Sequence, residues 1–233
     1  VLSNINRVFG SRMDDDGMPK VDLVKRSAEE IGLGTVIERI ARSLTYQSTF
    51  ARFRDCDAIF CCTDDDWGRS LLAKLAVYYY IPVFDMGVKI DADEGRIKSI
   101  QGRVTTLMPG AACLYCRERV TAERVLADSK RETKPEEAQS LAKEGYIVGV
   151  DDPDPAVIPF TTMVAAGAIS EFLHRLTGFL GAERATTEVV FLIDDTKLGT
   201  NAKASRQGCF CDDPYYRGRG DASPLLDLIW RDE

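Results

Sequence analysis

Asp57-Ala58-Ile59-Phe60-Cys61-Cys62-Thr63-Asp64-Asp65 is the stretch whose reading decides the fold. A continuous apolar run behind an acidic residue is the pattern of a strand buried on both faces, and the polar residues from Thr63 end it. A helix follows over about 69–80, and Pro82-Val83-Phe84-Asp85-Met86 is the next strand, stopped by Gly87. Strand, helix and strand with short connections form the βαβ unit of a parallel sheet. Upstream, Val21, Leu23, Val24, Ala28 and Ile31 place a helix over 20–31, with a short strand at 35–40 and a helical turn at 49–53. Downstream, 88–90 and 96–100 flank the turn Ala92-Asp93-Glu94-Gly95, and 102–107 is another alternating strand. Residues 117–150 are rich in charge and read as a long mobile crossover, with a helix starting at Lys134-Pro135-Glu136-Glu137 and ended by Gly145. Pro155 or Pro159 opens a long apolar helix to Leu176, closed by Gly178, whose small residues Ala165 to Ala168 suit a subunit interface. Residues 188–194 form a strand, and Leu225, Leu226, Leu228, Ile229 and Trp230 suit a terminal helix. The expected class is α/β, a doubly wound, mainly parallel sheet followed by antiparallel strands.

Composition narrows the function. The 233 residues are 45% hydrophobic and 29% charged, which suits one large domain or two small ones. Net charge −7 and pI 5.0 argue against a nucleic-acid partner. No apolar run approaches the roughly 20 residues of a membrane span, and the opening Val1-Leu2-Ser3-Asn4 is no secretory leader. The odd count of seven cysteines points to a reducing cytoplasm and to metal ligation before disulfides. Cys56, Cys61 and Cys62 read as small buried hydrophobes. The single histidine, His174, lies in a helical apolar stretch as a packing or surface residue. Hydrolytic triads, Cys-His dyads and multi-histidine metal sites are thereby excluded.

Three clusters remain for chemistry. Ser3-Asn4-Ile5-Asn6-Arg7 precedes Gly17-Met18-Pro19-Lys20, Thr63-Asp64-Asp65 precedes Arg69, and Cys113-x-x-Cys116 is matched by Cys209-x-Cys211. Asp64 and Asp65 leave the carboxyl end of a buried strand, where open α/β sheets bind ligands. Carboxylates there suit Mg²⁺ with substrate phosphates, and Arg7 and Lys20 suit developing phosphate charge. Two closely spaced cysteine pairs suit a tetrahedral zinc site, with reduced thiols or a redox Cys-x-x-Cys as the alternatives.

In this order the clusters resemble the ThiF/MoeB/HesA family, bacterial relatives of ubiquitin-activating enzymes. Ser3 to Arg7 is similar to its Ser-Asn-Leu-x-Arg, Pro19-Lys20-Val21 to its Pro-Lys-Val, and Thr63-Asp64-Asp65 to its Thr-Asp-Asn. The family's next arginine falls on Arg69, and Pro109 to Cys116 looks like its Pro-x-Cys-x-x-Cys segment. The resemblance implies Mg·ATP-dependent adenylation of the terminal carboxylate of a ubiquitin-fold or sulfur-carrier-like protein or a peptide, by a homodimer. It implies that Ser3, Asn4, Arg7, Lys20, Asp64, Asp65 and Arg69 bind the nucleotide, with Arg7, Lys20 and Asp64 catalytic. It also implies a structural Zn²⁺ on Cys113, Cys116, Cys209 and Cys211. The divisions are 1–116 for the nucleotide-binding part, 117–150 for the crossover, 151–212 for the helix, strand and zinc-closing segment, and 213–233 for the tail. The family's first strand, glycine-rich loop and ribose-binding Asp would precede Ser3, so the expectation is a truncated portion whose sheet lacks a central strand. Asp151 stands where thioester-forming relatives carry cysteine, so the expected reaction stops at the acyl-adenylate. Gly145-Tyr146 and the Thr63-to-Arg69 stretch also resemble those of full bacterial ubiquitin-like activating enzymes with a thioester step. A catalytically inactive scaffold and a nicotinamide-dependent oxidoreductase are the remaining readings.

Overall fold

The computed structural model describes residues 8, 10–94, 96–138, 157–181, 183–219 and 230–231. Ser3, Asn4, Arg7 and Asp151 lie outside these, as do most of the helix expected to end at Gly145 and the apolar tail residues 225–229. The sheet order is β1-β2-β3-β4-β5, with β1 Ile59–Cys61, β2 Val83–Asp93, β3 Arg96–Leu107, β4 Glu188–Leu192 and β5 Lys197–Thr200. Strands β1 and β2 run parallel with Ile59 opposite Val83 and Cys61 opposite Asp85, and the other three pairings are antiparallel. The α/β class with C-terminal antiparallel strands therefore holds, and its parallel part is one pair among the described residues. On its other side β1 has no partner among them.

Helices cover both faces of the sheet. α1 is Lys20–Ile31, α2 Gln47–Ala51, α3 Asp66–Tyr78, α4 Ala122–Thr133 and α5 Ile158–Thr177. Side chains alternate between faces along a strand. Ile59, Cys61, Val83 and Leu107 meet Trp67, Leu71, Leu72 and Leu75 of α3, while Phe60, Phe84, Val104 and Phe191 meet Val164, Ala168 and Phe172 of α5. All of α3 is buried, which is why its residues are apolar almost all round. α5 carries Pro159 as its second residue and is closed by Gly178, whose φ of 70° and N–H bond to the His174 carbonyl make the left-handed stop. His174 packs as expected: it is buried, its Nδ1 accepts the Leu180 N–H at 3.2 Å, and its ring meets Phe179.

Several expectations need correction. Gly87 does not stop a strand, and Gly102 does not start one. Both lie inside one long hairpin, where Gly87 faces Arg103 and Val88 faces Gly102. Their bare Cα atoms serve close packing: a Cβ at Gly102 would lie 2.4 Å from Val164, and one at Gly87 would lie 3.2 Å from the Arg103 guanidinium. Residues 35–40 form no strand, and Val36 is 96% exposed, because no neighbouring strand among those described takes their backbone groups. The charged stretch after Arg117 holds α4, capped by Thr121, which accepts the Arg124 N–H at 3.3 Å. Trp230 and Arg231 are not helical: Trp230 meets Phe50 edge-on at 5.1 Å, and Arg231 bridges to Tyr46.

Candidate functional site

The loop Cys62-Thr63-Asp64-Asp65 leaves β1 and enters α3. Asp65 is the N-cap of α3: its carboxylate accepts the Gly68 N–H and the Thr63 hydroxyl. Asparagine would accept the same bonds, so aspartate preserves the cap and adds charge at the positive end of the helix. Gly68 leaves room for the cap, since a Cβ would come 3.0 Å from the capping carboxylate and 3.3 Å from Leu44. Asp64 is exposed and has no hydrogen-bond or ionic partner among the described residues.

A second carboxylate reaches the same helix end from α4. Asp128 Oδ2 accepts the Asp66 N–H at 2.7 Å and is also approached by the Trp67 N–H. Asp66 is buried, with Arg69 at 3.6 Å and Arg124 at 4.0 Å, and its Oδ2 has no hydrogen-bond partner among the described residues. Burial is the main cause that pushes the Asp66, Asp128 and Glu132 carboxyls upward. An uncapped helix start is a natural phosphate cradle. Here the first amides are already taken by Asp65 and Asp128, so they are not free to cradle a phosphate.

Arg69 does not face the loop. Its Nε and Nη2 donate to the two oxygens of Asp85 at 2.9 and 2.8 Å, and Arg103 Nη1 donates to the same carboxylate at 2.5 Å. Asp85 is fully buried, and desolvation pushes its pKa up against the pull of Arg69. Cys61, Asp85, Thr105 and Glu188 stand opposite one another across four strands. Thr105 and Asn201 donate to Glu188 at 2.9 and 2.6 Å, with Arg119 at 3.3 Å and Arg117 at 3.4 Å. This buried polar row escaped sequence reasoning; its one local signal is a carboxylate within the apolar run from Pro82 to Met86.

Lys20 is the first residue of α1, exposed, with no bonded partner among the described residues. Bonds from α1 run to its own neighbourhood, Arg26 to Asp15 at 2.6 Å and Lys25 to the Ile37 carbonyl at 3.4 Å. No hydrogen bond or ion pair joins Lys20 to Asp64.

The four paired cysteines do converge. Their sulfurs all lie within 4.8 Å of one another, with Cys113 to Cys209 at 3.5 Å and Cys116 to Cys211 at 3.6 Å. Sulfurs about 2.3 Å from a tetrahedral zinc stand about 3.8 Å apart, so the set fits the metal. The Arg206 N–H donates to Cys116 Sγ at 3.2 Å, as an amide does toward a thiolate. The neighbouring Cys113 thiol holds Cys211 down to about 5, while Cys113 itself goes up and burial takes Cys209 up to about 11. Of the other thiols only Cys61 is buried. Cys56 and Cys62 are exposed, because β1 ends at Cys61 and starts at Ile59.

The profile of the ThiF family matches residues 1–210. A search of curated protein sequences finds no match. Among solved structures, Escherichia coli MccB with ATP superposes with a TM-score of 0.62 at 14% identity, over 89% of this chain and 54% of that one. E. coli MccB with MccA-N7isoASN gives 0.66 at 13% identity, over 91% and 56%. The microcin C7 biosynthetic enzyme MccB with N-formylated MccA gives 0.64 at 12%, over 91% and 57%. The chain thus spans about half the length of the structures it matches, and the likeness is one of fold. No helix among the described residues is long and apolar enough to cross a membrane.

Proposed function

Because the chain belongs to the ThiF family, we propose that it takes part in ATP-dependent adenylation of a polypeptide C-terminal carboxylate. The observation that carries this reading is Asp64, exposed and without a partner among the described residues, at the carboxyl end of β1 beside a helix start whose amides carboxylates already hold. The substrate carboxylate attacks the α-phosphorus, an acyl-adenylate forms, and pyrophosphate leaves. Mg²⁺ on Asp64 would offset phosphate charge, as expected for a hard cation on carboxylate oxygen. Arg7 and Lys20 would meet the charge that develops on the phosphates, and Ser3 and Asn4 would bind the nucleotide. For Asp65 and Arg69 the proposed part is indirect: one caps α3, and the other grips Asp85.

MccB has been solved with ATP, with selenomethionine MccA and with N-formylated MccA. Those two labels mark a polypeptide and support a polypeptide as the acceptor. A ubiquitin-fold or sulfur-carrier-like protein is the finer proposal. Exchange of labelled pyrophosphate into ATP by the full-length protein should depend on the acceptor's free C-terminus. Amidating that terminus should abolish exchange, and undiminished exchange with the amide would remove the reading. Exchange with the isolated C-terminal peptide at the full rate would remove the ubiquitin-fold requirement.

The same reading includes a homodimer through α5. Ile169, Leu173 and Leu176 on its outer face are 46%, 45% and 66% exposed, at helical spacing. Sedimentation should give a dimer that Ile169→Glu converts to monomer. A monomeric wild-type protein at micromolar concentration would dispose of this proposal.

A further inference from the structure

We propose that Asp128 of α4 is a positioning residue for adenylation, acting through the backbone of the loop that presents Asp64. The inference rests on the adenylation reading and adds a residue from outside the motifs that suggested it.

Asp128, in the middle of α4, holds the first turn of α3. Asp128 Oδ2 accepts the Asp66 N–H at 2.7 Å and faces the Trp67 N–H, and the Thr121 N–H lies near the Asp66 carboxylate. The Asp128 bond is not needed for helix initiation as such. Asp65 already caps α3, and the Thr121 hydroxyl already caps α4. What Asp128 adds is a fixed relation between two segments far apart in sequence. Asp66 sits in that clasp with only 7% exposure, and Arg69 lies 3.6 Å from its carboxylate. Arg131 holds Asp128 in turn at 3.1 Å.

Asp64 depends on this arrangement because it has no partner of its own among the described residues. Its direction is set by the backbone of Thr63 to Asp66. Asp65 ties the loop to the first turn of α3 through the Gly68 N–H and the Thr63 hydroxyl, and Asp128 grips the loop's end at the Asp66 N–H from the crossover helix. Without Asp128, the Asp66 and Trp67 amides lose their acceptor and the loop regains freedom on the side facing α4. Displacements of about 1 Å at a reacting group can lower rates about 100-fold.

The test uses full-length protein with Asp128→Ala and Asp128→Asn. Hydrogen exchange of the Asp66 and Trp67 amides is measured without nucleotide, alongside ATP–pyrophosphate exchange over a range of Mg²⁺ concentrations. Asp128→Ala should expose both amides and lower the exchange rate about 10- to 100-fold, with a raised Mg²⁺ requirement and a nearly unchanged KM for the acceptor. Asp128→Asn keeps an acceptor oxygen and should stay within about threefold of wild type. If the alanine variant does not fold, Asp128→Ser supplies the truncated side chain for the same comparison. Unchanged amide protection in the truncated variant would show that the clasp is not made. Lost protection with an unchanged rate would show that it does not position Asp64, and an asparagine variant as slow as alanine would overturn positioning in favour of charge. A wild-type protein without exchange activity overturns the adenylation reading and this one together, whereas an active wild type with an equally active truncated variant overturns only this one.

Discussion

Asp64→Ala should lower ATP–pyrophosphate exchange by about 1,000-fold while binding of the polypeptide acceptor stays within a few-fold of wild type. The size follows from what the carboxylate would do. A group that stabilises charge appearing only during phosphoryl-group chemistry is worth about 100- to 1,000-fold when removed. A metal ligand stands at the upper end, because the cation it holds acts on several oxygens at once. The neighbouring carboxylates cannot substitute as they stand. Asp65 is engaged by the Gly68 N–H and Thr63, Asp66 is buried, and Asp128 is held by the Asp66 N–H and Arg131. Asp64→Asn preserves shape and removes charge, so it should recover little and should need far more Mg²⁺ for half-maximal rate. Lys20→Ala should show a loss that lies in turnover. The alanine variant at Asp64 exchanging at a near wild-type rate would mean that the nucleotide has been placed at the wrong strand end.

What was legible in the sequence was local. The run from Asp57 to Asp65 announces a buried strand and the loop after it, because burial demands apolar residues in sequence and the chain must leave the sheet on polar ones. The bounds of α1 and the end of α5 were legible for a related reason. Apolar spacing over 20–31 marks α1, and Gly178 ends α5 whatever packs around it. The pairing of Cys113 and Cys116 with Cys209 and Cys211 could be read because metal-ligand spacing is also a local pattern.

The parts that were not legible depend on contacts between distant segments. Gly87 and Gly102 look like strand breakers, and only the packing of Arg103 and Val164 shows why each is glycine. Residues 35–40 have the composition of a strand, yet a strand exists only where another chain segment takes its hydrogen bonds. In α4, Arg124, Lys130, Arg131 and Glu132 mask a short buried side consisting of Ala127 and Ser129. Asp85 and Asp128 have the same origin: their meaning lies in partners at Arg69 and Asp66, which no spacing rule connects. Recognition supplied residues that stand in local motifs, whereas Asp85 and Asp128 show themselves only through the segments they join.

Removing the metal from the cysteine cluster should produce the largest loss of stability. Purified protein is expected to carry about one zinc per chain, and Cys116→Ser or Cys211→Ser should reduce this below about a tenth. The expected loss is large because the four thiols tie together two segments far apart in sequence. Ala112, Cys113, Cys116 and Cys211 cluster with Val77 of α3, and Tyr115 meets Phe210 edge-on at 6.0 Å. Apparent zinc-binding free energies in small structural sites, about 10–16 kcal/mol, equal or exceed the stability of a whole domain at about 5–15 kcal/mol. Even a loss of about 5 kcal/mol would lower the Tm by about 10–20 °C in a chain of this size. The pH dependence has a definite sign. Zinc takes thiolates, and without metal the Cys113 and Cys209 thiols are shifted upward, so binding must release their protons. Retention should therefore strengthen as pH rises and fail in acid, with zinc release preceding unfolding. Cys62→Ser serves as the control, since an exposed thiol at the end of β1 should leave zinc content unchanged. Protein that binds less than a tenth of an equivalent of zinc, yet melts at the same temperature with and without chelator, would show that the four thiols hold the fold without metal.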